Sequence, residues 1–338
     1  MSKLAVVILN WNGCELLQRF LPSVVRYSEE DGAVVVVADN GSSDDSVEWV
    51  QKEFPTVQLL LLDKNYGFAE GYNKAIQQVE AEYVLLLNSD VEVTPHWLCP
   101  LKSYLDSHPE VAACQPKLLS WHHKNLFEYA GACGGFIDRW GYPYCRGRIM
   151  SAVETDEGQY DDATPVFWVT GAALCIRRND YLETGGLDSL FFAHMEEVDL
   201  CWRLWAKGRQ LACVPQSIVY HVGGGTLQQE NPRKTFLNFR NNLLMLYKNL
   251  PAEELNVVLC VRAFLDYVAA FSFLLKGEWR SAWMVVKARR EFKRLRKNYT
   301  SFRKAGTKIT SVQLPFVKYK GSILWAYYVK RKRTYSSL

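Results

Sequence analysis

Polar residues able to hold a phosphate, a metal or a reacting hydroxyl fall at a few abrupt places in this chain. The apolar run ending at Leu87 gives way at once to Asn88, Ser89 and Asp90. Two residues apart on an extended backbone, Asn88 and Asp90 point to one side. One carboxylate beside a neutral amide suits a hard divalent cation, Mg²⁺ or Mn²⁺, that keeps positions open for phosphate oxygens. A second apolar run ends at Asp39, whose carboxylate can accept the N3–H of a uracil or thymine ring, with Asn10 and Asn12 flanking it. The stretch "NYGFAEGYN" sets Asn65, Gly67, Gly71 and Asn73 where a loop enters a helix, and small residues there let a ligand approach the backbone. Glu196, Glu197 and Asp199 crowd the start of another helix, where a carboxylate can act as a general base on a hydroxyl. His221 ends a strand just before three glycines and can reach the same metal as Asp90. Taken singly, each has an ordinary reading: an Asx-turn at Asp39 or Asn40, acids favouring a helix dipole, a packed histidine.

These residues need a scaffold, and the sequence supplies one. Four short apolar runs, "LAVVILN", "AVVVVADN", "VQLLLLD" and "EYVLLLNSD", alternate with segments whose apolar residues recur every three or four positions. Continuous rather than alternating runs predict strands buried on both faces of a mainly parallel sheet, so the class is α/β and Rossmann-like. In such sheets ligands collect at the carboxyl ends of the strands, where Asn10, Asp39 and Asn88 to Asp90 stand. No GxGxxG follows the first run, which argues against a dinucleotide-binding domain. Residues 120–165, rich in Gly and aromatics and then acidic, read as a variable loop excursion over the site. The remaining candidates come from "VFWVTGAALCIRR", from a helix opened by Glu196 and Glu197, and from the strand ending at His221. Nine cysteines with no CxxC pair predict reduced packing residues in a cytosolic protein. The N-terminal run reads as a first strand and not a signal peptide.

In this order, "VVILNWNG", "VVADNGSSDDS", "NYGFAEGYN", "LLLNSDVEV", "TGAALCIRR", "FFAHMEEVDLCWR" and "VYHVGGGT" resemble family 2 glycosyltransferases of the GT-A fold, especially bacterial rhamnosyltransferase-like members. The resemblance covers about residues 3–250 and implies inverting transfer of a sugar from a nucleoside diphosphate sugar to an acceptor hydroxyl. It implies that Asp39 binds the nucleobase with Asn10 and Asn12 around the nucleoside. Asn88 and Asp90 fall on the DxD-type motif, His221 on a histidine that joins the metal, and Glu197 on the base. Here the second acid is glutamate where aspartate is more common, which leaves Glu196 and Asp199 as substitutes. The QxxRW motif of processive members is missing, so one sugar per encounter is expected. A sugar nucleotidyltransferase, or a glycan-binding homologue without catalysis, is the alternative. The former lacks its basic Gly-rich loop after the first strand.

Charge is distributed unevenly. From Lys276 to Leu338 there are 18 Lys and Arg against Glu278 and Glu291, a net +16; with the whole chain at +4, the first 275 residues carry −12. Residues 251–338 therefore read as a helical, basic extension to a catalytic domain over residues 1–250. Residues 255–277 are apolar enough to suggest a membrane span, but Arg262 and Asp266 interrupt them four apart and can pair on one helix face. A helix packed on the domain or lying in an interface is expected instead, with an anionic membrane surface as partner for the bases and tryptophans. Nothing in the chain resembles a nucleic-acid module. The expected setting is peripheral, on the cytoplasmic face of a bacterial membrane, with a lipid-linked glycan as acceptor.

Overall fold

The computed structural model describes residues 2–223, 231–304 and 318–338. The glycines at 224 and 225 and residues 305–317 of the basic tail, on which part of the reading above falls, lie outside the described residues.

The chain opens with β1 (Ser2–Asn10), α1 (Cys14–Glu30), β2 (Val34–Asp39), α2 (Ser46–Glu53), β3 (Gln58–Leu61), α3 (Gly67–Gln78) and β4 (Ala81–Leu87). Then come β5 (Val91–Val93), α4 (Leu98–Ser107) and β6 (Val111–Ser120). β1 pairs in parallel with β2 and β4, and β2 with β3. Alternate residues of these strands enter two separate cores. Val7, Val36 and Leu86 pack on one side of the sheet, and Val6, Val37 and Leu85 on the other. That double burial is why the runs read as continuous apolar stretches.

Residues 120–165 do not form an irregular loop. They contain four short strands, β7 (Gly135–Asp138), β8 (Pro143–Cys145), β9 (Arg148–Ile149) and β10 (Ala152–Val153). These make a second, small sheet whose strands are too short to carry a periodic signal. The chain returns to the main sheet through β11 (Thr164–Pro165) and β12 (Ala173–Arg177), and β12 runs antiparallel between β4 and β6. After α5 (Arg178–Glu183) and α6 (Glu196–Ala206), β13 (Gln210–His221) lies parallel to β6. The main sheet is therefore mixed and largely parallel, in the order β11-β13-β6-β12-β4-β1-β2-β3, with β5 paired to β13.

The helices that follow are α7 (Pro232–Asn249), α8 (Ala252–Leu275), α9 (Trp279–Leu295) and the short α10 (Thr300–Lys304). The chain after residue 250 is not wholly helical, because β14 (Lys318–Tyr319) adds to the second sheet beside β7. Asp138 at the end of β7 accepts the Ile323 amide at 2.9 Å, which ties the tail to the catalytic half. In α8 the two charges expected to pair do so: Arg262 and Asp266 lie 3.4 Å apart, 2% and 0% exposed. Arg262 also donates to the Trp140 carbonyl at 3.2 Å, and Arg289 of α9 donates to Asp266. Removing one member of such a group strands the others away from water. Asp266→Ala is expected to cost about 3–5 kcal/mol in urea unfolding. Phe264→Ser, on the exposed side of the same helix, should stay within about 0.5 kcal/mol of wild type.

Candidate functional site

The register of two strands brings the metal-type residues together. β5 begins right after Asp90 and pairs with β13 so that Val91 faces His221. The Val222 amide donates to the Asp90 carbonyl at 3.1 Å, and His221 Nε2 lies 3.1 Å from Asp90 Oδ1. Asn88 Nδ2 stands 3.5 Å from the same nitrogen. All three line one cavity of about 840 Å³, together with Glu196, Glu197, Phe68, Thr170 and Lys234. Asp90 and His221 are buried in its wall.

A further acid, Glu128, completes this group and was not anticipated from the sequence. Its Oε1 lies 3.3 Å from His221 Nδ1, an ion-pair contact that leaves this ring nitrogen without a hydrogen bond. Burial disfavours a charged imidazole, but Glu128 and the hydrogen bond to Asp90 outweigh it and push His221 up to about 10. Burial likewise opposes the Asp90 charge, and the contact with His221 reverses this and holds Asp90 below the usual carboxylate range. An imidazole and a carboxylate whose polar atoms already converge in a cavity wall form a donor set of the kind Mn²⁺ accepts, with the Asn88 amide beside them.

Glu196 and Glu197 open α6, and each has a buried Oε2 with no hydrogen-bond partner. Burial raises both. Glu197 reaches about 7, with backbone amides of the first turn pulling it back, while Glu196 is driven well above the ordinary value by burial and by the neighbouring Glu197. The backbone leading into them is constrained, since Phe192, His194 and Met195 all have positive φ. The turn is held from outside by Asn241 of α7, whose amide donates to the carbonyls of Phe191, Ala193 and His194. His194 also lines the cavity, and burial lowers it to about 4, so it is neutral there.

Asp199 is not a substitute base. It is fully buried on another side of α6, paired with Arg203 and Lys248 at 2.8 Å each and with Asn249. Burial opposes its charge, but these partners hold it below the usual range. The i,i+4 spacing of Asp199 and Arg203 was the signal available in the sequence.

Asn10, Asn12 and Asp39 gather at the ends of β1 and β2, outside the cavity lining. Asn10 faces Asp39 across the two strands and donates to its Oδ1 at 3.1 Å, and the Ser42 amide donates to the other carboxylate oxygen at 2.9 Å. Asn10 Oδ1 is buried and unpartnered. Asn12, at φ 49°, accepts from the Ser43 amide at 2.7 Å.

The side chains and glycines of the "NYGFAEGYN" group are engaged within the fold. Asn65 accepts from the Gly67 amide and from the buried Asn40, and Asn73 bonds Tyr181 and both backbone groups of Leu187. Gly67 has φ +77°, and a Cβ there would come within 2.9 Å of the Phe192 ring. A Cβ on Gly71 would meet Leu9 at 2.8 Å. Both glycines are thus required by packing, because side chains already fill the space above them.

Residues 5–125 match glycosyl transferase family 2, and residues 83–275, over half of the chain, match glycosyl transferase family group 2. The chain belongs to glycosyltransferase family 2. It is similar to the N-acetylglucosaminyl-diphospho-decaprenol L-rhamnosyltransferase of Mycobacterium tuberculosis, 27% identical over 234 residues, 64% of this chain and 75% of that protein. It is also similar to rhamnosyltransferase WbbL of Escherichia coli, 27% identical over 163 residues, 46% of this chain and 61% of that protein. Among solved structures, GalNAc-T7 with UDP, GalNAc and Mn²⁺ matches with a TM-score of 0.56 at 17% identity, over 73% of this chain and 48% of that one. The mannosyltransferase PcManGT from Pyrobaculum calidifontis, in complex with GDP-Man and Mn²⁺, matches with a TM-score of 0.52 at 13% identity, over 90% and 83%.

The His221 environment makes a test of Glu128 direct. Glu128→Gln removes one of the two carboxylates that face the imidazole while keeping its size. The His221 midpoint, read by NMR of the ring nitrogens, is expected to fall from about 10 toward the neutral range.

Proposed function

We propose that this protein transfers one sugar, with inversion, from a nucleoside diphosphate donor to a hydroxyl of a lipid-linked glycan. dTDP-rhamnose is the favoured donor and a UDP-sugar the second. The observation that carries this reading is the sharing of one cavity by Glu197, a carboxylate poised near neutrality with one oxygen unpartnered, and the Asp90–His221 pair. Both rhamnosyltransferase relatives support the sugar, and the N-acetylglucosaminyl-diphospho-decaprenol L-rhamnosyltransferase supports the acceptor class.

In this mechanism Asp39, with Asn10 and Asn12, receives the nucleoside at the ends of β1 and β2. Asp90, Asn88 and His221, the last after giving up its ring proton, would hold Mg²⁺ or Mn²⁺, whose charge would offset that of the departing diphosphate. Glu197 takes the proton of the acceptor hydroxyl. The acceptor oxygen then forms its bond to the anomeric carbon as the bond to the diphosphate oxygen breaks on the opposite face, and nucleoside diphosphate leaves. Glu196, driven toward its neutral form, adds no second negative charge beside the base and keeps Glu197 as the group that ionises first. Thr170 and Phe68 wall the same space and limit access of water.

A base must be ionised to act, so turnover should rise with pH through about 7 and then level off. Glu197→Gln should abolish that limb and lower kcat by about 10²–10⁴-fold while donor binding by calorimetry stays intact. The same substitution should alter stability. Glu197 binds its proton more tightly folded than unfolded, so its contribution is full below about 4.5 and is lost as pH rises through about 7. The Gln variant is therefore expected to be the more stable protein at pH 8 by urea unfolding.

Donor and metal are tested together. Thermal melting with Mn²⁺ and a panel of dTDP-, UDP- and GDP-sugars should give the largest shift for dTDP-rhamnose. Asp90→Ala should remove the Mn²⁺-dependent part of that shift. Free nucleoside diphosphate is the expected product, and pyrophosphate would overturn the reading in favour of sugar activation.

A further inference from the structure

The outer side of α8 faces no part of the described protein. Its buried positions, Leu255, Val258, Arg262, Asp266 and Ala270, recur every three or four residues and pack inward. The opposite stripe carries Val257, Phe264, Val268, Phe271 and Leu275, exposed by 49–75%, with Tyr267 and Leu274 beside them. By length and hydropathy the helix could cross a bilayer. Its inner stripe argues against crossing, since a span would have to break the bonds of Arg262 to Asp266 and Trp140 and of Arg289 to Asp266.

Where the outer stripe ends, Lys276 and Arg280 bracket the exposed Trp279. The outer face of α9 continues with the exposed Trp283, Lys287, Arg290 and Arg294 at spacings of four, three and four. An apolar stripe beside exposed tryptophans and bases suits the surface of a lipid monolayer, where the stripe enters the boundary of the acyl chains and the Trp, Lys and Arg side chains meet the interface and its anionic headgroups. A second apolar cluster, Trp325, Tyr328 and Val329, is followed by Lys330 to Arg333.

We propose that the outer stripe of α8 and the basic face of α9 form a docking surface for an anionic phospholipid bilayer, on which α8 lies in the interface plane without spanning it. A lipid-linked acceptor would be anchored in the leaflet that this surface meets. Only this last step rests on the transferase reading, because the docking itself follows from the apolar stripe and the charge.

The test is co-sedimentation of the full chain with vesicles of phosphatidylethanolamine and phosphatidylglycerol, against vesicles of phosphatidylcholine alone. Binding to the anionic vesicles is expected to be stronger and to weaken as salt rises. F264E/F271E, which places two charges on the outer stripe, should lower it by tenfold or more, on the order expected from lost apolar contact. K287Q/R290Q, which leaves the stripe intact, should lower it by about tenfold or more. Donor hydrolysis in solution should stay at the wild-type rate in both variants. A loss of hydrolysis in every variant including wild type would sink the transferase reading without touching docking. Equal binding to both vesicle types, or unchanged binding by both variants, would overturn the proposal. So would resistance of the cell-expressed protein to alkaline extraction from membranes, which indicates a span, or a dimer in light scattering that F264E/F271E dissolves while vesicle binding persists.

Discussion

The contact between Asp90 and His221 depends on one register, and the working half of the molecule is arranged around it. The two residues are 131 positions apart, yet the three-residue strand that follows Asp90 pairs with the end of the strand that carries His221. A slip of one residue would turn His221 to the other face of the sheet. The register is fixed by the long parallel pairing of that strand with Val111–Ser120 and by the burial of alternate side chains in separate cores. Packing far from the cavity thus determines whether an imidazole and a carboxylate meet in its wall.

The two cavity glutamates are positioned by a different device. Three non-glycine residues with positive φ precede Glu196, a conformation that costs about 1–3 kcal/mol per residue. Asn241 offsets part of that cost with three bonds to the turn, and Phe192, at its tip, packs into the space kept open by Gly67. A turn forced into this shape aims the amides of the first helical turn and the two glutamates at the cavity, and Glu197 feels both burial and the amides. The resulting balance places it near neutrality, where a carboxylate is an effective base.

Strands and strand-end residues were legible in the sequence because parallel strands covered on both faces leave an unbroken apolar signature, and the polar residue that ends each one stands out. The acid pair at Glu196 and Glu197 was legible for a related reason, as it opens a helix. Glu128 was not, because it lies just before strands of only two to four residues that show no period, and its partner, His221, is distant in sequence. For Asn65, Gly67, Gly71 and Asn73 the sequence did not show how far they are engaged within the fold. Amides and small residues suit a ligand, but they suit a tightly packed loop equally well, and composition does not distinguish the two. Asp199 was misread despite a local sign, the arginine four residues on.

The C-terminal helices show how one pair of residues changes the meaning of a composition. Twenty-four residues of high hydropathy would ordinarily imply a span. Arg262 and Asp266 are placed where the helix turns inward, and each is bonded to other elements of the protein rather than only to each other. Such a group is costly to bury and more costly to break, so it fixes which side of the helix faces the protein. Once that side is fixed, the apolar residues left over all lie on the opposite side and end in tryptophan and arginine. A soluble partner surface would not require so long an apolar stripe without an acid in it, whereas a bilayer interface accepts it and rewards the bases that follow.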